Sequence, residues 1–138
     1  MLQVLAQWEE AGRWFAKADE DIRGAALMLA ADPPLIDPAA YHCQEAAEKI
    51  MKGLLVAVAV KVPRTHDLEI LAGMVVPLFP ALASRIDWFI PVTEWATVTR
   101  YPDFEGGLGA GVADITETLG NLRALRLAVA EAAPLSSL

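Results

Sequence analysis

Three stretches of this sequence place apolar or small side chains at alternating spacings of three and four residues, the pattern of a helix with one buried face. The first stripe comprises Trp8, Ala11, Phe15, Ala18, Ile22, Ala25 and Leu29. The second comprises Cys43, Ala47, Ile50, Leu54 and Ala57, and the third Val112, Ile115, Leu119, Leu122, Leu125 and Val129. No stretch alternates between apolar and polar residues as a half-buried strand does. The pattern therefore predicts an all-α protein.

Prolines and polar residues mark where these helices begin and end. The first helix is predicted to end near Asp32, where two prolines follow. The second is predicted to begin with Asp37 as its cap and Pro38 in its first turn, and to run to about Lys61. Charged residues between the stripe positions predict a solvated face; they are Glu9, Glu10, Arg13, Lys17, Asp19, Glu20 and Arg23.

Shorter helices are predicted between the second and third stripes. Thr65 or His66 opens a short helix through residues 67–76, and one or two turns follow around residues 81–86. A further short helix follows Pro91 and ends before Pro102. These elements predict an antiparallel, up-and-down bundle of about five helices, three long and one or two short, in a single domain of residues 1–138 with a core of about 5–132.

Composition limits the function classes. The formal net charge of −7 argues against a broad electrostatic grip on nucleic acid, so any RNA or nucleotide contact is expected to be local. Cys43 is the only cysteine, which excludes an intrachain disulfide. The longest apolar run, residues 54–60, is far shorter than the roughly 20 residues that span a bilayer. We expect a soluble, cytoplasmic protein without membrane contact and without a cofactor.

Polar residues of the second helix form a row. Gln44, Glu48 and Lys52 lie one turn apart on one face, with Glu45 and Lys49 beside them. The favoured interpretation is a salt-bridged face exposed to solvent, and the alternative is contact with a partner or nucleotide.

Other residue types give weaker signals. His42 and His66 are the only histidines and form no metal-binding motif, so no metal site is predicted. A histidine at the start of a helix, as His66 is predicted to be, more often caps or packs than catalyses. The four tryptophans are assigned to packing in the core or at a dimer interface, because no basic groove accompanies them.

The stretch TRYPDFEGG at residues 99–107 is the most distinctive polar segment. A helix end explains Pro102 and the glycines, and Arg100 suits a helix C-terminus. A helix end does not explain why Tyr101, Asp103 and Glu105 occur together, so a functional site here is the competing interpretation.

Three motifs, in this order and at these separations, resemble the HEPN domain (higher eukaryotes and prokaryotes nucleotide-binding). They are YHCQEAAEKIMKGLL at 41–55, PRTHDLEIL at 63–71 and TRYPD at 99–103, and the similarity extends from about Trp14 to Ala132. The resemblance implies a compact domain of about five helices, commonly a homodimer. Many small prokaryotic members are encoded beside a minimal nucleotidyltransferase, as toxin–antitoxin or substrate-binding partners.

Catalytic members of the family are metal-independent ribonucleases, whose signature is an arginine, four to six residues, and then a histidine. Arg100 matches the arginine, but the corresponding later positions hold Glu105, Gly106 and Gly107. The tyrosine that some toxin members carry after the histidine is also missing. This departure argues against the ribonuclease activity, because glutamate is a poor proton donor at neutral pH.

Three hypotheses follow from the resemblance. The first is a non-enzymatic, dimeric HEPN protein that binds a nucleotide-like ligand or a nucleotidyltransferase partner. Its ligand would contact Arg100, Tyr101 and Asp103, together with the row of Gln44, Glu48 and Lys52, and with His66 as a weaker member. The second is a divergent ribonuclease that uses Arg100 with Glu105. The third is a dimerisation module with a vestigial site.

Overall fold

The computed structural model describes residues 1–95 and 110–134, which contain helices and no strand. The α-helices are α1 (Leu2–Leu29), α2 (Ile36–Ala57), α3 (Leu68–Val75), α4 (Ala83–Asp87) and α5 (Val112–Ala132). Two 3-10 helices, Pro80–Leu82 and Ile90–Glu94, flank α4. The prediction of an all-α bundle is confirmed.

The α1–α2 hairpin is the largest packed unit of the bundle. A short connection joins the two helices, so they run antiparallel. The α1 stripe is buried from Ala11 to Ala25, and the charged residues predicted on the opposite face are exposed. A Cβ added at Gly53 would lie 2.5 Å from a ring carbon of Phe15, so glycine permits the close approach of α2 to α1 at this point.

The α2 helix is the centre of the bundle, because α1, α3 and α5 all pack against it. Its predicted bounds were partly wrong. The helix begins at Ile36, and Asp37 lies in its first turn without capping it. It ends at Ala57 instead of Lys61, because the chain turns at Ala59, whose φ of 58° is left-handed.

The segment after α2 returns the chain to the surface of that helix. Asp67 caps α3 by accepting a hydrogen bond from the Glu69 backbone N–H at 2.9 Å. The helix was predicted to open at Thr65 or His66, one or two residues earlier. Thr65 Oγ1 accepts from the Asp67 backbone N–H at 3.1 Å. The short helix predicted after Pro91 begins as the 3-10 helix Ile90–Glu94, and the rest of it lies outside the described residues.

The last helix closes the bundle. Its N-terminus is fixed by Asp114, which accepts a hydrogen bond from the Gly111 backbone N–H at 2.8 Å. The predicted stripe is buried from Ile115 to Val129, whereas Val112 is exposed. In the described part of the chain no helix combines the length and the apolar character needed to cross a membrane.

Candidate functional site

The polar row of α2 is buried, so the interpretation as a solvent-exposed face was wrong for its central residues. Gln44 is fully buried, and Glu48 and Lys52 are nearly so. The row is covered because helices pack around α2 on several sides, whereas the prediction assumed one apolar stripe and one free face. Only the flanking Glu45 and Lys49 keep partial exposure.

One carboxylate organises the row. Lys52 Nζ donates to Glu48 Oε2 at 3.0 Å, and Gln44 Nε2 donates to Glu48 Oε1 at 3.3 Å. The Lys52 side chain is only 10% exposed. Two charges this far from water are compensated mainly by each other and by these hydrogen bonds, which are strengthened by the ionic charge.

His66 joins the row from the segment before α3. Its Nδ1 lies 2.9 Å from Glu48 Oε1 and donates to it, because an ionised carboxylate only accepts. The backbone carbonyl of the same residue accepts from Gln44 Nε2 at 3.2 Å. The ring is 67% exposed, so among the four side chains of the network it is the one most open to solvent. We call Gln44, Glu48, Lys52 and His66 the Glu48 network.

Gln44 leaves one polar atom without a partner. Its Nε2 makes two hydrogen bonds, but its Oε1 is buried and receives none from the described residues. A buried acceptor without a donor costs about 1–3 kcal/mol. Such an atom in an otherwise satisfied network needs an explanation.

A second polar cluster lies between α1 and α2. Asp21 Oδ1 accepts from His42 Nδ1 at 2.8 Å, and Asp21 Oδ2 accepts from Lys49 Nζ at 2.5 Å. We call these three residues the Asp21 cluster. Burial alone would lower the pKa of Lys49, but its hydrogen bond to Asp21 and the charge of Asp21 outweigh burial and raise the pKa above 10.5.

The burial of Asp21 was not predicted, although the sequence carries a signal for it. Asp21 follows Ala18 by three residues and precedes Ala25 by four, so it lies on the same buried stripe as those alanines. A carboxylate on an apolar stripe indicates a buried charge with a partner on the facing helix. Cys43 is buried nearby, and burial raises the pKa of its thiol to about 12.

The structure brings together only part of the predicted site. Gln44, Glu48, Lys52 and His66 form one connected network, as the first hypothesis requires. The other predicted residues, Arg100, Tyr101 and Asp103, and Glu105 of the ribonuclease hypothesis, lie outside the described residues.

The Glu48 network can do two kinds of chemistry at its exposed edge. The His66 ring can stack on a base or, when protonated, contact a phosphate. An imidazole held by a carboxylate can also move a proton, which is the arrangement that general acid–base catalysis uses. Glu45 lies beside Glu48 and His66, and these three side chains offer ligand atoms within 4.8 Å of one another.

Comparison with known proteins identifies the family. No curated protein and no solved structure matches the chain significantly. The family model of the HEPN domain matches residues 11–131, which is most of the chain and includes both polar clusters. On this match the chain belongs to the HEPN domain family.

Proposed function

We propose that this chain is a non-enzymatic HEPN protein that acts as a dimer and binds a nucleotide-like ligand, a nucleotidyltransferase partner, or both. Its context would be a two-component, toxin–antitoxin-like system. The single observation that supports this proposal best is the Glu48 network, which holds an exposed imidazole on a buried ion pair.

The energetics of the network support a binding role. A buried Lys–carboxylate pair contributes little net stability, because removing two charges from water costs about as much as their attraction returns. A well-packed apolar pair at Glu48 and Lys52 would serve the core equally well. Hydrogen bonds from buried groups that fix the orientation of an exposed histidine are what a binding site uses to hold its ligand-contacting residue in place.

Arg100 supplies the phosphate contact in this proposal. Its guanidinium is a planar donor that can hold two phosphate oxygens at once. Tyr101 and Asp103 are adjacent in sequence and would complete the contact. Binding is preferred to catalysis because Glu105, Gly106 and Gly107 stand where the ribonuclease signature has its histidine.

Exposed apolar side chains support dimerisation. Leu27 on α1 and Leu127 on α5 are each 64% exposed. A cavity of about 480 Å³ lies between the same two helices and is lined by Trp8, Phe15 and Val129 among others. We expect light scattering to give twice the monomer mass. Leu27→Glu with Leu127→Glu should give a monomer if these leucines lie in the dimer interface.

Nucleotide binding is tested by calorimetry with AMP, ADP and ATP as probes. Each titration is made once in buffer containing EDTA and once in buffer containing Zn²⁺, so that binding with and without a divalent ion is compared. The wild type is expected to bind at least one probe in one buffer. Arg100→Ala and His66→Gln should each weaken binding about tenfold or more, while His42→Gln, the matched control, should not.

The proposed nucleotidyltransferase partner is tested by examining which protein the neighbouring open reading frame encodes. A small nucleotidyltransferase with a Gly-Ser-x-x-x-x-x-Asp-x-Asp motif should be encoded there and should co-purify with this chain. If no probe binds in either buffer and no such gene is present, the proposal fails, and the dimerisation module with a vestigial site takes its place.

A second candidate is the divergent ribonuclease, favoured by the His66–Glu48 hydrogen bond of 2.9 Å. In this version Arg100 stabilises the phosphate, and His66 or Glu105 moves the proton. Incubation of the protein with single-stranded RNA in EDTA distinguishes the two functions. Cleavage that Arg100→Ala abolishes would replace the binding proposal, and no cleavage would exclude this candidate.

A further inference from the structure

Two carboxylates and an imidazole converge at the exposed edge of the Glu48 network. Glu45 and Glu48 are three residues apart on α2, and His66 reaches them from the segment before α3. One ligand atom from each lies within 4.8 Å of the other two. The 2.9 Å between His66 Nδ1 and Glu48 Oε1 is near the separation of neighbouring ligands bound to one metal at about 2.1 Å, which is about 3.0 Å in octahedral and about 3.4 Å in tetrahedral geometry.

The Gln44 amide provides an independent observation that points to a cation. The amide is fully buried and directed at the cluster, with Nε2 at 3.3 Å from Glu48 Oε1 and 3.2 Å from the His66 carbonyl oxygen. Its Oε1 has no donor among the described residues. Rotating the amide by half a turn would place Oε1 beside two other acceptors, which is favourable only when a cation lies among them.

We propose that Glu45, Glu48 and His66 bind one divalent first-row transition-metal ion, with the Gln44 amide oxygen and the His66 carbonyl as neutral oxygen donors nearby. Mixed carboxylate and imidazole ligands suit Zn²⁺ or Mn²⁺ better than Mg²⁺, which prefers oxygen alone. On binding, the imidazole coordinates through Nδ1 and carries its single proton on Nε2.

The lysines of α2 leave room for the ion. Lys52 Nζ binds Glu48 Oε2, so no lysine occupies Glu48 Oε1. Among the described residues, the donors to Glu48 Oε1 are His66 Nδ1 and Gln44 Nε2, which belong to the proposed site and would turn toward the ion on binding. Lys49 Nζ is 2.5 Å from Asp21 Oδ2 but 3.6 Å from Glu45 Oε2, so its main partner is Asp21 and not Glu45. The sequence analysis predicted no metal site because the ligands do not form a contiguous motif.

The metal site extends beyond the proposed function and can be tested without a nucleotide. Within the α2 row the charges of Glu45 and Glu48 are formally cancelled by those of Lys49 and Lys52. A divalent ion would add two positive charges beside His66, where a phosphate could approach. That use of the ion rests on the proposed function, but the binding of the ion does not.

The test is calorimetric titration of tag-free, EDTA-stripped protein with ZnCl₂ and with MnCl₂. We expect one ion per chain and a melting temperature that rises with the concentration of the ion. His66→Gln and Glu45→Gln should each weaken binding at least tenfold. Both side chains are at least partly exposed, and the melting temperature of each metal-free variant verifies that it folds.

His42→Gln is the matched control, because it removes the other histidine and also breaks one hydrogen bond to a carboxylate. It should leave the affinity for the ion unchanged. Absence of stoichiometric binding of both ions overturns the proposal. Equal affinity in the wild type, His66→Gln and Glu45→Gln also overturns it, and so does an equal loss in His42→Gln. Metal binding without nucleotide binding would contradict only the proposed binding of a nucleotide-like ligand.

Discussion

The Asp21 cluster and the Glu48 network each contain one carboxylate, one histidine and one lysine, but the Glu48 network also contains Gln44 and is more exposed at its histidine. In each, a buried carboxylate binds one histidine and one lysine. The His42 ring is 32% exposed and the His66 ring 67% exposed. Among the described residues, each buried polar atom of the Asp21 cluster has a partner, whereas in the Glu48 network the buried Gln44 Oε1 has no donor.

These differences in exposure and hydrogen bonding indicate that the two carboxylate–histidine–lysine groups have different roles. The Asp21 cluster joins α1 to α2, the two longest helices, and so fixes how the hairpin packs. The Glu48 network joins α2 to a segment outside the helices and presents a ring to solvent. We therefore interpret the first cluster as structural and the second as the site of the proposed binding.

The largest expected effect concerns Cys43, which is buried beside the Asp21 cluster. Because burial raises the pKa of its thiol from 9.0 to about 12, the thiolate fraction near pH 8 falls about a thousandfold. Labelling with a disulfide reagent should be slower in the native protein than in urea by at least that factor. Rapid native labelling would show that the core at the Asp21 cluster is open, and the contrast with the Glu48 network would be lost.

Glu48→Gln should give the largest loss of stability among single substitutions in the two clusters. It leaves the ammonium of Lys52 buried without a counter-charge, which costs about 3 kcal/mol. Urea unfolding measures this loss. The double variant Glu48→Leu with Lys52→Met should recover most of the stability while losing the ligand, and a double variant as unstable as Glu48→Gln would contradict the account.

Asp21→Asn should cost less, about 1–2 kcal/mol, because Lys49 and His42 remain partly exposed and can be hydrated. The same unfolding experiment measures this loss. Affinity for nucleotides or metal ions should remain within about threefold of the wild type. A tenfold loss of affinity in Asp21→Asn would mean that the two clusters form one site.

Alkaline pH should produce the smallest effect. The raised pKa values of Cys43 and Lys49 mean that the folded protein holds both protons more tightly than the unfolded chain. Their stabilising contributions are therefore complete below about pH 9 and about pH 10.5, respectively, and are lost as pH rises further. In Asp21→Asn the pKa of Lys49 should rise less, so stability should fall less steeply above about pH 10.5 than in the wild type. Thermal unfolding between pH 9 and 11 measures this difference.

Much of the fold was predictable because apolar periodicity depends only on neighbouring residues. The α1 stripe from Ala11 to Ala25 and the α5 stripe from Ile115 to Val129 are buried as predicted. The end of α2 was predicted less well, since the left-handed turn at Ala59 carries no glycine or asparagine to mark it.

The site was predictable only in part. Helical spacing brings Gln44, Glu48 and Lys52 together, but their burial depends on how three other helices pack around α2. The contact of His66 with Glu48 depends on the path of a segment without periodicity, which no local pattern determines.

The central claim is that ligands bind at the Glu48 network and not at the Asp21 cluster, and the chain contains one histidine in each. Proton NMR of the two imidazole rings therefore tests it directly, with His42→Gln and His66→Gln assigning the signals. Titration with the nucleotide that binds in calorimetry should shift the His66 signals and leave those of His42 in place. Movement of the His42 signals alone, or of neither ring at saturating nucleotide, would contradict the account.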